Sequence, residues 1–248
     1  MSSSDSPVAL ITGAARRLGA CTAKKLHDRG WRLVIHCNHS REEADAFAAQ
    51  LNEVRAGSAS VVQGNLSSVE AVRRVANDAV GQWQRLDAVV NNASVFYPTP
   101  MDSATADDWD AIMATNLRAP FELVQTALPA LQKAGGVVIN LIDIYSERPL
   151  ANHPIYCASK AGLAALTRSW AKDLAPAIRV NGVSPGAILW PEQESDNSDH
   201  QKKLLEKVPL RRTGNPEDIA STVVFLICDA PYITGQIIPV DGGRSQNM

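Results

Sequence analysis

The sequence predicts a single-domain α/β protein with a doubly wound, mainly parallel sheet and helices on both faces. Three observations carry this reading. Short apolar runs of strand length alternate at a steady pitch with helix-length amphipathic segments along the whole chain. Several of those runs are continuous in Val, Ile and Leu, as strands buried on both faces require. The first run passes directly into a glycine-bracketed turn, TGAARRLG, that opens a helix.

Taken in order, residues 8–11 (VALI) form a strand, since the run follows Pro7 and is too short for a helix. Gly13 and Gly19 bracket the turn into a helix that runs to about Arg29, with Ala23 and Leu26 on its apolar face. Residues 33–37 are the second strand, 41–55 a helix by period, 59–62 a third strand, 69–83 a helix, and 88–90 a fourth strand ending in NNAS. A long helical region over 107–134 contains Asn116, and Pro129 is expected to kink or break it near its end. Residues 137–142 (VVINLI) are a buried strand that ends at Asp143, and a helix over 154–174 carries Tyr156 and Lys160. A strand over 178–183 closes in SPG, a helix spans 216–228, and a last strand over 237–240 ends in DGG. Between the last two strands, residues 187–208 turn polar and lose periodicity, a long connection of the kind that serves function. No repeat or linker divides the chain, so 1–248 reads as one domain after a flexible tail at 1–6.

The totals narrow the function classes. With 248 residues, 45% apolar and 20% charged, the chain has ordinary globular composition. A net charge of -2 offers no basic stripe for nucleic acid, and no apolar run approaches a membrane span. The polar start MSSSDSP has neither basic region nor apolar core, so a signal peptide is not expected and a cytoplasmic protein is. Cys21, Cys37, Cys157 and Cys228 are scattered without a C-x-x-C pair or a metal-ligand rhythm, and read as reduced structural thiols with no metal site.

The glycine turn aims backbone N–H groups at an anion, and a helix N-terminus adds favourable charge, so a dinucleotide pyrophosphate is the natural ligand. An NAD site wants an acid roughly 20 residues further on to hold the ribose hydroxyls. This chain instead presents His36, Asn38, His39, Ser40 and Arg41, with Arg16 in the turn itself. Donors and cations suit a 2′-phosphate, which predicts NADPH. Taken singly, His36 and His39 are also ordinary polar residues at a strand end.

Tyr156 and Lys160 are four apart, so on a helix both side chains share one face. An ammonium there is expected to favour the tyrosinate and bring the phenol toward neutral pH. Spacing alone favours an ordinary amphipathic pair on a solvated helix, and the surrounding chain must decide.

Together, the TG-x-x-x-x-x-G of Thr12 to Gly19, the NNA of Asn91, Asn92 and Ala93, Asn116, the Tyr156-x-x-x-Lys160 pair and the Pro185-Gly186 dipeptide resemble the short-chain dehydrogenase/reductase family. The motifs stand in the family's order over nearly the whole chain. The resemblance implies a single Rossmann-type domain, NAD(P) chemistry and a homotetramer. It assigns proton transfer to Tyr156, tyrosine activation and ribose binding to Lys160, and anchorage of a water relay to Asn116. Cofactor contacts fall to Gly13, Arg16, Arg17, Leu18, Gly19, Asn65, Leu66, Asn92, Ala93, Ser94, Lys160, Pro185 and Gly186.

Three departures are informative. Arg17 stands at the family's middle glycine, Ser94 ends NNAS where the family has NNAG, and Asp143 replaces the catalytic serine thirteen residues before the tyrosine. A serine hydrogen-bonds a ketone oxygen, whereas a carboxyl can accept from ring and amino N–H groups or, when protonated, donate to a ring nitrogen. With TGAARRLG, HCNHS and NNASVFYPTP, this looks like the pteridine reductase branch. That resemblance implies a pterin or folate substrate stacked on Phe96 and contacted by Arg17, Ser94, Asp143 and Tyr156. Trp190 is expected either to cap the pocket or to pack at a surface or oligomer contact. A 3-oxoacyl-thioester or small-ketone reductase of the same family, and a non-enzymatic nucleotide-sensing scaffold, are the alternatives.

Overall fold

The computed structural model describes residues 6–188 and 205–247, and within them seven strands form one sheet in the order β3-β2-β1-β4-β5-β6-β7. The strands are β1 (Val8–Ile11), β2 (Arg32–Cys37), β3 (Ala59–Gln63), β4 (Ala88–Asn91), β5 (Val137–Leu141), β6 (Arg179–Pro185) and β7 (Ile237–Val240), and every pairing is parallel. The helices are α1 (Arg17–Asp28), α2 (Arg41–Val54), α3 (Val69–Trp83), α4 (Ala106–Met113), α5 (Ala119–Ala134), α6 (Pro154–Asp173) and α7 (Pro216–Cys228). The polar connection at 187–208, Trp190 within it and the tail at 1–6 fall largely or wholly outside the described residues.

Alternation along each strand splits the core in two. Ala9, Ile11, Leu33, Ile35, Val137 and Ile139 point to one face, where they pack on residues of α1, α2 and α7. Val8, Leu10, Val34, Val138 and Val180 point to the other, against α3, α5 and α6. Both faces are therefore dry, which explains the continuous apolar runs. The chain order reverses between β1 and β4, and the crevice at their carboxyl ends is where sheets of this kind hold ligands.

One expectation is corrected. Pro129 lies inside α5 without ending it. The hydrogen bond it cannot donate would have gone to Gln125, which is exposed, so water can serve that carbonyl. The irregularity falls instead at Ala114–Arg118, a single π-helical stretch between α4 and α5 that contains Asn116. Such a bulge re-aims side chains within an otherwise regular helix.

Candidate active site

The carboxyl ends of β1 and β4 are stitched together by side chains. Thr12 Oγ1 accepts from the backbone N–H of both Asn92 and Ala93 at 2.9 Å. Asn92 Nδ2 returns hydrogen bonds to the carbonyls of Thr12 and Gly13 at 2.8 and 3.1 Å. A Cβ on Gly19 would lie 2.6 Å from Gly13 O and 2.8 Å from Asn92 Nδ2, so this closeness needs glycine. Arg17, at the place of the family's middle glycine, takes the left-handed conformation, with φ 53°. The turn has thus kept the conformation glycine favours while carrying a long cation, a strained arrangement typical of functional positions.

His36 departs from the expected phosphate donor. Its ring is buried and neutral: Nδ1 accepts from Gly13 N–H at 3.1 Å, and Nε2 donates to Gly64 O at 2.9 Å. Burial lowers its pKa, so it is no cation at neutral pH. It fixes the glycine turn from behind. Asn38 and His39 are exposed beyond β2, and Arg16 reaches across to donate to Ser40 Oγ. Arg16 also pairs with Glu43 at 3.0 Å, and Arg41 with Asp45 at 2.7 Å. Asn65 accepts from the backbone and hydroxyl of Ser67, which holds the turn after β3.

These residues border one cleft of about 860 Å³. Its lining includes Gly13, Arg16, Arg17, Leu18, Gly19, His36, Asn38, Asn65, Leu66, Asn92, Ala93, Ser94, Phe96 and Tyr156. The first turn of α1 enters it with no side-chain cap and no acid. Pro185 ends β6 and Gly186 follows it, where a Cβ would meet Asp241 Cβ at 2.5 Å.

At the end of β5, Tyr156 Oη donates to Asp143 Oδ2 at 2.7 Å, and Asp143 Oδ1 accepts from Tyr145 N–H at 2.9 Å. Lys160 is buried; its Nζ donates to Leu141 O at 2.9 Å and stands 5.8 Å from the centre of the Tyr156 ring. Burial pulls the lysine down to about 8, opposed by Asp143. Burial raises Asp143, against the hydrogen bonds from Tyr145 and Tyr156 and the charges of Lys160 and Arg244. The expectation that Lys160 brings the phenol toward neutrality is overturned: burial first, then the Asp143 carboxylate, push Tyr156 up. Tyr156 is therefore held protonated, the state a proton donor needs.

Asn116 acts as a clamp. Its Oδ1 accepts from Val95 N–H at 2.8 Å and Ser94 Oγ at 3.1 Å, and its Nδ2 donates to Val95 O at 2.9 Å and Ser159 Oγ at 3.2 Å. It thereby sets the strand exit that carries Ser94 and Phe96.

Phe96 is half exposed, stacked on His153 at 4.7 Å and 11°, and edge-on to Tyr156 at 4.7 Å and 80°. Three site neighbours were not legible from motifs. His153 precedes α6 and backs Phe96, Tyr145 holds Asp143, and Arg244 donates to Tyr145 Oη at 2.8 Å. Tyr145 could have been suspected from its spacing to Asp143, since an Asp commonly caps the backbone two residues on.

Comparison with known proteins finds relatives that match nearly the whole chain. The family model described as enoyl-(acyl carrier protein) reductase matches residues 13–245. A 3-oxoacyl-[acyl-carrier-protein] reductase FabG of Staphylococcus aureus strain Mu50 is 34% identical over 238 residues, covering 95% of this chain and 96% of that one. Pteridine reductase 1 of Leishmania tarentolae is 34% identical over an alignment of 280 residues, covering 96% of each chain.

Proposed function

The chain belongs to the short-chain dehydrogenase/reductase family, and from that premise we propose that it is an NADPH-dependent reductase of pterins. The observation that carries the substrate class is Asp143, a carboxyl 2.7 Å from the Tyr156 hydroxyl where a carbonyl reductase would hold a serine.

The residues fit a dinucleotide. The uncapped N-terminus of α1 opens into the cleft beside Gly13, Leu18 and Gly19, and N–H groups at a helix start bind a pyrophosphate. Arg16, Ser40, Asn38, His39 and Arg41 gather at the far end of β2, where no carboxylate belongs to the strand end and a 2′-phosphate would find donors. Glu43 and Asp45 now neutralise the two arginines and would be displaced or shared. Lys160 and Tyr156 lie at the opposite end, where the nicotinamide ribose belongs.

NADPH, when bound, supplies hydride, which reduces C6 of a 7,8-dihydropterin. Tyr156 delivers the proton to N5, and Asp143, hydrogen-bonded to the same phenol, passes a proton back to it. For a fully oxidised pterin, Asp143 protonates N8 as C7 is reduced, a role suited to a carboxyl that burial keeps protonated above the usual range. Phe96 offers an aromatic face for the heterocycle, with Arg17 and Ser94 at the cleft wall. Lys160 holds positive charge behind the pair.

A second reading has support from the names of several relatives, which act on 3-oxoacyl groups. In it Tyr156 would protonate a ketone oxygen and Asp143, in its protonated form, would donate beside it. The family assignment favours either enzyme over a nucleotide-sensing scaffold. Trp109 and Phe121, exposed along a groove of about 380 Å³ beside α4 and α5, support the homotetramer. The described helices include none long and apolar enough to cross a membrane. The test is NADPH oxidation over dihydrobiopterin, dihydrofolate, biopterin, folate and an acetoacetyl thioester. Turnover of the pterins above the thioester supports the proposal, and turnover of the thioester alone replaces it with the second reading.

A further inference from the structure

The C-terminal turn reaches the Asp143 carboxyl through Tyr145. Asp241 shapes it, accepting from Gly243 N–H at 2.8 Å and Ser245 N–H at 2.7 Å. Gly243 has φ 84°, and a Cβ there would meet Pro209 Cγ at 2.9 Å, so the turn is locked against the returning chain. Arg244, only 8% exposed, lies over the Tyr145 ring at 5.3 Å and donates to its hydroxyl at 2.8 Å. Tyr145 in turn donates its backbone N–H to Asp143 Oδ1. Arg244 Nε is buried with no hydrogen-bond partner among the described residues. Burying a guanidinium incompletely satisfied is costly, and packing alone does not repay it. Beyond Tyr145, its charge acts on the Asp143 carboxyl.

We propose that Arg244 is a positioning residue for Asp143: through Tyr145 it orients the carboxyl toward the Tyr156 hydroxyl, and its buried charge favours the ionised carboxylate. The proposal rests on Asp143 as the proton-handling group but not on which substrate is reduced. The groups that face Asp143 are Tyr156, Cys157 and Lys160 from α6, Tyr145 from the turn after β5, and Arg244 from the C-terminal turn. Of these only Lys160 and Arg244 carry positive charge, so loss of Arg244 leaves the carboxyl with a single counter-charge.

The test follows Asp143 itself without any substrate. In the full-length protein, the C=O stretch of its protonated carboxyl is titrated by infrared difference spectroscopy and assigned by its loss in Asp143→Asn. In Arg244→Gln the midpoint moves to higher pH by on the order of one unit, as expected for removal of a nearby opposite charge. Arg244→Lys returns most of that shift, and Tyr145→Phe moves the midpoint in the same direction by less. Should Arg244→Gln fail to fold, as judged by its thermal transition, Tyr145→Phe and Arg244→Lys carry the test. A midpoint at the wild-type value in the folded Arg244→Gln variant, or in Tyr145→Phe if that is the only one that folds, overturns the proposal. A shifted midpoint in an enzyme that reduces no pterin would sink the substrate assignment and leave the role of Arg244 standing.

Discussion

The Tyr156 hydroxyl donates to Asp143 Oδ2 across 2.7 Å, so the proton donor and the carboxyl that stands in place of a serine form a single unit. That unit costs stability. Burial raises the folded Asp143 above its ordinary range, while an unfolded aspartate titrates near ~3.9. Between those two values the native protein binds more protons than the unfolded chain, so stability falls as pH rises through the window, and the penalty is complete above the folded value. Asn cannot ionise and escapes it. The melting temperature of Asp143→Asn relative to wild type is expected to climb from about pH 4 toward neutrality. A difference constant with pH would remove the buried ionisation from the account.

Lys160 supplies a second pH signature. Its ammonium is pulled down to about 8 by burial, so the charge behind the Tyr156–Asp143 pair is present below that pH and lost above it. For the wild-type enzyme, log kcat/KM should turn downward near pH 8, with a limiting slope of about one per pH unit. Lys160→Met should be inactive at every pH. A wild-type profile flat through that region would mean that the lysine charge is dispensable.

Arg17 holds φ 53° without being glycine. Arg17→Gly should relieve a left-handed conformation worth about 1 kcal/mol, partly offset by the greater backbone entropy of glycine in the unfolded chain. The expected result is unchanged or slightly raised stability in urea titration together with a raised KM for the pterin. Lower stability with an unchanged KM would make Arg17 a structural residue only.

At the nucleotide end, Arg16 is paired with Glu43 across 3.0 Å on an exposed surface. Glu43→Gln frees the arginine for a 2′-phosphate, and because exposed pairs are worth at most ~1 kcal/mol, the gain in NADPH affinity should be roughly twofold to fivefold. NADH affinity should not change. Arg16→Ala should weaken NADPH at least severalfold and leave NADH alone. Equal kcat/KM for the two nucleotides in the wild type would remove the 2′-phosphate from the site.

The sequence was informative where chemistry is local. Strand identity followed from apolar runs, and the cleft between β1 and β4 from the glycine turn and NNAS, because short segments fix those backbones. What stayed hidden depends on contacts between distant segments. Pro129 predicts a kink or a break, and α5 runs on past it without a break, because an exposed Gln125 carbonyl can turn to water. His36 looked like a phosphate donor until its two nitrogens proved committed to Gly13 and Gly64. The sign of the Tyr156 shift is inverted, because spacing along α6 shows the lysine but neither the burial of the phenol nor the carboxylate that stands beyond β5. Arg244 reaches Tyr145 from 99 residues away, with no motif to announce it.

The central claim is that Asp143 handles protons for a pterin. It is tested most directly by comparing kcat/KM for biopterin and dihydrobiopterin in wild type and Asp143→Ala. The account predicts a loss of about 10²-fold or more on the oxidised pterin, the scale of general acid catalysis, and a smaller loss on the dihydro form. Wild-type activity of Asp143→Ala on both would contradict it.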